Sequence, residues 1–287
     1  MKLNKIVATV MAATSVFAVA GMAASCGENN AKENVKVMKD ILLTEEEYAF
    51  AIAKDNDELL EEVNGMLATW QADGSLDALI NSYFDGEPEF TYTNKTAEPE
   101  EDDFIMATNA AFPPFEYKKG AAFTGIDVQI AYNIAQELEK DLFVFDMEFD
   151  SIISSVQTGE SDIGMAGMTV NEERMKSVNF ATPYYASAQV ITVLESDTTF
   201  DECKTAADVE AILKTKGKDY KIGTQNGTTG YMYTKGDEGF GYEGFTNLTT
   251  NGYTTGALAM TDLANKKINA VILDLQPSLL IAKSVNK

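Results

Sequence analysis

The chain has no histidine among its 287 residues. Imidazole proton shuttles, catalytic triads with a histidine base and histidine-ligated metals are therefore excluded. Cysteine is almost as scarce, because Cys26 and Cys203 cannot build a disulfide framework or a four-cysteine zinc site. The sequence indicates no metal and no cofactor.

Basic residues are also few, with 22 lysines and arginines against 45 aspartates and glutamates and a net charge of −23. A surface of that sign repels a phosphate backbone, which argues against nucleic acid as a partner. Hydrophobic residues make up 45% of the chain, as in ordinary folded proteins. The length suits one large domain or two ordinary ones.

The first 25 residues have the pattern of a secretory signal. Two lysines precede an apolar stretch over residues 6–24, which ends in small residues and Cys26. Residues 23–26 resemble a bacterial lipobox, so we expect cleavage after residue 25, lipid on Cys26 and a tether over residues 26–34. A permanent membrane anchor and a signal without lipid are the alternatives.

The rest of the chain predicts an α/β fold. An acidic segment rich in Glu, Pro, Thr and Asn over residues 87–103 is typical of a linker that buries no core. Residues 48–53 indicate one strand, and strands alternate with helices from Phe104 onward. The apolar run Ile268 to Leu273 is typical of a buried parallel strand, so we expect mostly parallel sheets. In such sheets ligands bind at the carboxyl ends of strands.

Arg174 is the only arginine in the chain. It follows Asn171, a good helix N-cap, and therefore lies in a first helical turn, where a cation opposes the helix dipole. That unfavourable position indicates an anion-binding role, and a guanidinium suits a carboxylate. A salt bridge to Glu172 or another nearby acid is the alternative.

Two further segments complete a candidate site. Asp274 follows the buried strand and is placed to receive a cation, or else caps the helix that contains Pro277. The glycine-rich stretch 223–230 leads from a strand into a helix, where amides can hold an anion, although it is equally an ordinary turn. A carboxylate on Arg174 and the amides of Thr228 and Thr229, with an ammonium on Asp274, matches a zwitterion.

Several motifs together resemble the amino-acid family of bacterial solute-binding proteins that serve ABC transporters. They lie at residues 107–117, Gly125-Ile126-Asp127, 164–174, 178–185, 225–230 and 270–274. The resemblance implies a two-lobed periplasmic-binding-protein type II fold that binds a free amino acid between closing lobes and delivers it to a permease. It also implies an extracytoplasmic lipoprotein on the outer face of the bacterial cell membrane.

The resemblance also implies the ligand contacts. Arg174 would clamp the α-carboxylate, while Asp274 and the Gly167 carbonyl would take the α-ammonium. Phe112 and Phe149 would sandwich the ligand side chain, with Asn109 at its far end. The full predicted set is Asn109, Phe112, Phe149, Gly167, Thr169, Arg174, Gln225, Thr228, Thr229 and Asp274. Relatives that prefer cationic side chains often have an acid in place of Asn109, so a neutral or polar amino acid is favoured.

The order of segments departs from the family, because residues 35–84 look like its C-terminal end. We therefore expect a circular permutant in which residues 87–103 join the family's old termini. Lobe 1 would comprise residues 46–86 and 104–188, and lobe 2 residues 33–45 and 189–287. Exchange of residues 35–84 between two chains, giving a swapped dimer, is the alternative.

Two other function classes remain beside transport. An amino-acid-sensing receptor would use the same fold and a signalling partner. A dehydratase-like enzyme is the other, but the predicted site offers no general acid besides Asp274. The sequence therefore favours a binding protein over an enzyme.

Overall fold

The computed structural model describes residues 32–86 and 89–287. The predicted signal, the predicted lipidation of Cys26 and most of the predicted tether lie outside these ranges. None of the helices within them combines the length and apolar character needed to cross a membrane.

Short strands and helices alternate along the described chain. The strands are β1 (Val35–Val37), β2 (Glu46–Tyr48), β3 (Ala51–Ala53), β4 (Phe104–Thr108), β5 (Ala111–Phe112), β6 (Glu116–Lys119), β7 (Ala122–Thr124), β8 (Leu142–Asp146), β9 (Ile163–Gly164), β10 (Val178–Phe180), β11 (Tyr185–Ser187), β12 (Gln189–Leu194), β13 (Lys221–Gln225), β14 (Thr249–Tyr253) and β15 (Ala270–Asp274). The helices are α1 (Asp57–Ala72), α2 (Ser75–Asp85), α3 (Ile126–Glu137), α4 (Ile152–Thr158), α5 (Glu172–Met175), α6 (Ala206–Lys214), α7 (Thr229–Lys235), α8 (Gly256–Ala264) and α9 (Leu275–Val285), with a 3₁₀ turn at Phe149–Ser151 before α4.

Two five-stranded sheets organise the fold. The first sheet has the order β10-β3-β9-β4-β8 and the second β1-β12-β15-β13-β14. In each sheet the first two pairings are antiparallel and the last two parallel. The expectation of mostly parallel sheets is therefore wrong, because β12 pairs with β15 in the antiparallel direction and strands from residues 35–53 add three further antiparallel pairings to the two sheets.

Residues 35–53 contribute to both sheets and to the ribbon between them. Strand β1 pairs with β12 and lies at the edge of the second sheet, whereas β3 lies inside the first sheet between β10 and β9. Strand β2 pairs with β11 in a separate two-stranded ribbon. The single strand expected over residues 48–53 is thus divided between two sheets, with Ala49 and Phe50 buried at the crossing.

From residue 89 onward, the predicted linker is an ordered strap along the first sheet. Tyr92 exchanges backbone hydrogen bonds of 2.8 and 2.7 Å with Phe123, and the Asn94 amide exchanges two of 2.9 Å with the backbone of Val144. The rings of Phe90 and Tyr92 lie 5.6 and 5.8 Å from that of Tyr132. The expectation that this segment buries no core is therefore wrong for Phe90 and Tyr92, which are half-buried against the core, whereas residues 98–102, four of them acidic, are exposed.

Helix packing follows the sequence pattern. The side chain of Asn56 accepts a hydrogen bond from the Leu59 N–H and caps α1, which buries Leu59, Val63 and Leu67 at intervals of one turn. All five residues of β15 are buried, as its apolar run predicted. The carboxyl end of this strand carries Asp274.

Candidate functional site

The loops that leave the carboxyl ends of the strands meet in a cleft between the two sheets. All ten of the predicted ligand residues line one cavity there, together with Glu116 and Ala166. The free volume of this cavity is about 10 Å³, which is room for about one water molecule. The two sides of the cleft therefore lie close together. The structure brings the predicted residues together, and their contacts with a ligand stay a prediction.

Arg174 lies in α5 on the first-sheet side of the cleft and is 5% exposed. Its backbone N–H donates 2.8 Å to the Asn171 side chain, the predicted N-cap. The guanidinium donates to the backbone carbonyls of Thr169 at 2.7 Å and Gly227 at 3.0 Å. Within the described residues it forms no ion pair, so the alternative salt bridge to Glu172 is absent.

Two aromatic rings lie over the Arg174 guanidinium. The Cζ atom is 5.4 Å from the ring centroid of Phe149 and 5.5 Å from that of Phe240. Burial lowers the pKa of Arg174 to about 10, while the negative charges of Glu46 and Asp274 oppose that shift. The guanidinium therefore stays charged at neutral pH, with neutral partners in direct contact.

Asp274 is the last residue of β15 and is 4% exposed. Its side chain does not cap α9, so the capping alternative is wrong, and it accepts a hydrogen bond from the Tyr48 hydroxyl instead. Burial raises the pKa of Asp274 to about 7, with the charge of Glu46 adding to the shift and the Tyr48 hydrogen bond opposing it. A cation at this carboxylate would restore its charge.

Gly167 is held in place by a buried carboxylate behind it. Its φ is +52°, and a Cβ atom there would lie 2.9 Å from the ring of Phe112, so glycine is required. The Gly167 N–H donates 2.9 Å to Asp127 Oδ2, and the Tyr184 hydroxyl donates 2.5 Å to Asp127 Oδ1. Burial raises the pKa of Asp127 to about 6.

The second sheet contributes a polar strand-to-helix turn. Thr228 is the N-cap of α7, and its hydroxyl donates 2.8 Å to the Gln225 carbonyl. The Gln225 amide donates 3.0 Å to Asn109 Oδ1, and the Asn109 amide donates 2.7 Å to the Met147 carbonyl. The buried Thr229 hydroxyl has no hydrogen-bond partner among the described residues. The hydrogen-bonded amides of Gln225 and Asn109 span the cleft, at the end where the ligand side chain was predicted to lie.

Two residues of the ribbon strand β2, which the sequence did not single out, reach the site. The Thr169 hydroxyl donates 2.5 Å to Glu46 Oε2, and the Tyr48 hydroxyl donates to Asp274. Their spacing of two places both on one face of the strand. That alternation is visible in the sequence, but the pairing that brings β2 to the cleft is not.

Glu116 lines the cavity and is a further residue that sequence reasoning missed. It is fully buried, and among the described residues no donor reaches either of its carboxylate oxygens. Burial, followed by the charge of Asp127, raises the pKa of Glu116 well above its usual range. It faces the site because it pairs with Phe112 across β5 and β6. No group of side chains in the described ranges is arranged to hold a metal ion.

Comparisons with known proteins show the family to which the chain belongs. The model of bacterial extracellular solute-binding proteins, family 3, matches residues 104–283. The arginine-binding extracellular protein ArtP of Bacillus subtilis (strain 168) is 31% identical over 136 residues, covering 47% of this chain and 49% of that protein. The ABC transporter arginine-binding protein 1 of Escherichia coli (strain K12) is 32% identical over 187 residues, covering 64% and 67%.

The fold agrees with these relatives. An ancestral arginine-binding protein solved with arginine bound matches with a TM-score of 0.54 and 28% identity, over 64% of this chain and 75% of that one. The prediction of an α/β, periplasmic-binding-protein type II fold is thereby confirmed, whereas the permuted order stays a prediction. The chain spans about half the length of the Bacillus relative. It belongs to the bacterial extracellular solute-binding proteins of family 3.

Proposed function

We propose that the protein binds a free amino acid in this cavity outside the cytoplasm and delivers it to an ABC transporter permease. The observation that carries the proposal is the pair Arg174 and Asp274, two buried ionisable groups of opposite sign contributed from opposite sides of one cleft. Buried charges are costly unless they are paired, and a zwitterion supplies a partner for each. Relatives named as arginine-binding and as parts of ABC transporters support this reading.

The ligand α-carboxylate is assigned to Arg174, assisted by Thr228 and Thr229. The α-ammonium is assigned to Asp274 and the Gly167 carbonyl. The unpartnered Thr229 hydroxyl and the raised pKa of Asp274 support these roles, since each group gains from a ligand. Thr169 helps to position Arg174, because its carbonyl accepts a hydrogen bond from the guanidinium and its hydroxyl donates one to Glu46.

Lobe closure is the second part of the proposal, with the lobes at the predicted boundaries. The hydrogen bonds from Arg174 to Gly227 and from Gln225 to Asn109 cross the cleft and support a closed form. A ligand that contacts both sides favours that form through its higher affinity for it.

Two observations favour different charges for the side chain of the ligand. The neutral Asn109–Gln225 amide pair supports a neutral or polar amino acid. The buried Glu116 carboxyl supports a cationic side chain, as do the names of the arginine-binding relatives. Calorimetric titrations with glutamine and arginine, compared with a Glu116→Gln variant, distinguish the two.

We also propose that the segment order is circularly permuted. The Asn286 side chain accepts a hydrogen bond of 2.9 Å from the Val35 N–H and donates one of 2.9 Å to the Val35 carbonyl. The end of α9 therefore lies beside the start of β1, as the joining of residue 287 to residue 33 requires. A rearranged chain that begins at residue 104, joins 287 to 33 and ends at 86 should fold as a monomer with unchanged ligand affinity. A monomeric mass for the natural chain in light scattering would exclude the swapped dimer.

Lipid on Cys26 and anchoring to the outer face of the cell membrane complete the proposal. Cys26→Ala should release the protein from the membrane fraction. A sensing receptor and a dehydratase-like enzyme remain the alternatives, and turnover of a small carboxylic acid would favour the second. The relatives described above are named as binding proteins.

A thermal-shift screen over the common amino acids tests the proposal. A ligand at 100 times its Kd stabilises the folded state by about 2.7 kcal/mol, which corresponds to an increase in Tm of at least about 5 °C for a protein of this size. If no amino acid raised the Tm, the proposal that the protein binds a free amino acid would be wrong.

A further inference from the structure

A compact loop over residues 236–244 leads from α7 toward β14. Asp237 and Tyr242 exchange backbone hydrogen bonds of 2.8 and 2.9 Å, so residues 238–241 form the tip of a hairpin. The Phe240 N–H donates 3.2 Å to the Asp237 carboxylate inside that tip. The tip thus has a defined shape that presents Phe240.

The base of the 236–244 loop is closed by glycines and anchored on the second-sheet side. A Cβ atom at Gly244 would lie 2.2 Å from the Gly236 nitrogen, and both glycines have positive φ values of 68° and 92°. The Tyr242 ring packs edge-on against Tyr233 at 5.4 Å. The loop therefore belongs to the same side of the cleft as Thr228 and Asp274.

The tip contacts the other side of the cleft at α5. Phe240 lies 5.5 Å from Arg174 Cζ, and a Cβ atom at Gly239 would lie 2.7 Å from Glu173 Oε2. Phe149, on the first-sheet side, lies 5.4 Å from the same guanidinium. Arg174 is thus covered by one ring from each side of the cleft.

We propose that the 236–244 loop is a lid and that Phe240 is a positioning residue for Arg174, an inference that rests on the proposed amino-acid binding. The lid brings Phe240 onto the guanidinium when the two sides of the cleft meet. A ring over a cation attracts it more strongly where water is excluded, and two rings restrict where the guanidinium can lie. Because the contact forms across the cleft, it stabilises the closed form and slows ligand release.

The test compares three variants of the full chain, using whichever amino acid gives the largest thermal shift with the unmodified protein. Phe240→Ala should weaken binding about tenfold in calorimetry, mainly through faster dissociation in stopped-flow measurements, and Phe240→Tyr should restore it to within about twofold. Tyr231→Ala is the matched control, because the Tyr231 ring pairs with Lys235 at 5.0 Å instead of Arg174. It should bind as the unmodified protein does.

Each outcome decides the proposal. Unchanged affinity and dissociation rate in Phe240→Ala would overturn the lid assignment while leaving amino-acid binding intact. An equal loss in Tyr231→Ala, or no recovery in Phe240→Tyr, would also overturn it, because the effect would then reflect general disturbance of this side of the cleft. Absence of binding by the unmodified protein would instead contradict the proposed function.

Discussion

The two five-stranded sheets have the same order of antiparallel and parallel pairings but contribute opposite charges to the cleft. The first-sheet side supplies Arg174, whose pKa of about 10 keeps it charged at neutral pH. The second supplies Asp274, whose pKa of about 7 leaves it partly protonated. One side of the site is therefore permanently charged, and the charge of the other depends on what binds to it.

The largest effect is expected from removing the permanent charge. Arg174→Ala should weaken amino-acid binding at least a few hundredfold in calorimetry, because the ligand carboxylate loses its charged partner. The Tm of the ligand-free protein should change little, since loss of two hydrogen bonds is offset by loss of a buried charge. A loss of affinity smaller than tenfold would contradict the role of Arg174.

The next largest effect concerns the conditional charge. Asp274→Asn should weaken binding about a hundredfold, because an amide cannot pair with the α-ammonium. The Tyr48 hydroxyl can still donate to the amide oxygen, so the ligand-free fold should persist. Equal affinity of Asp274→Asn and the unmodified protein would remove Asp274 from the site.

The same carboxylate predicts a pH dependence. Asp274 must ionise to hold an ammonium, so affinity should rise about 30-fold from pH 5.5 to 8, with proton release on binding. Ligand-free stability should move the opposite way. Asp274 and Asp127, with pKa values of about 7 and 6, bind protons in the folded state that the unfolded chain has lost, so the free energy of unfolding should fall as pH rises from about 4 to 7.

Urea unfolding at pH 4.5 and 7.5, and calorimetry at pH 5.5 and 8, check the two opposite trends. In Asp274→Asn the binding trend should largely disappear. Affinity that falls as pH rises would contradict the assignment of the ammonium to Asp274.

A smaller effect is expected behind the first-sheet side of the site. Asp127→Asn replaces an acceptor of two hydrogen bonds with an amide whose N–H₂ opposes one of the two donors, Gly167 N–H or Tyr184 hydroxyl. We expect a loss of about 1–3 kcal/mol in stability and a several-fold weaker Kd. Tyr184→Phe, which leaves Gly167 paired, is the control and should affect stability more than binding.

The smallest effect is expected at the edge of the first sheet, where the strap covers β8. Asn94→Ala removes two hydrogen bonds to Val144 and should cost about 1–2 kcal/mol in urea unfolding without changing Kd. Thr93→Ala, at an exposed neighbouring position, should change neither. A changed Kd in Asn94→Ala would link the strap to the site.

The parts that could be predicted from the sequence are those set by local chemistry. The apolar run that ends at Leu273 forms the buried strand β15, and Asn171 caps α5. Arg174, Thr228, Thr229 and Asp274 could be predicted because they lie at strand ends and helix starts, which face one cleft in this architecture. The other predicted cavity residues were implied by the family resemblance.

The missed residues depend on pairing between distant segments. Glu116 lines the cavity through its register with Phe112, and Tyr48 arrives through the pairing of β2 with β11. Phe240 reaches Arg174 only because its loop crosses between the two sides of the cleft. The acidic composition of the strap predicted a plain linker, whereas Phe90 and Tyr92 contact the distant Tyr132. Local composition does not encode such long-range contacts.

The central claim is that one zwitterion is held between Arg174 and Asp274. The direct test is calorimetric titration of the responsive amino acid alongside its α-amide and its N-acetyl derivative. We predict one-to-one binding of the free amino acid and at least a hundredfold weaker binding of both derivatives, since each lacks one of the two charges. Equal binding of either derivative, or no binding of any free amino acid, would contradict the account.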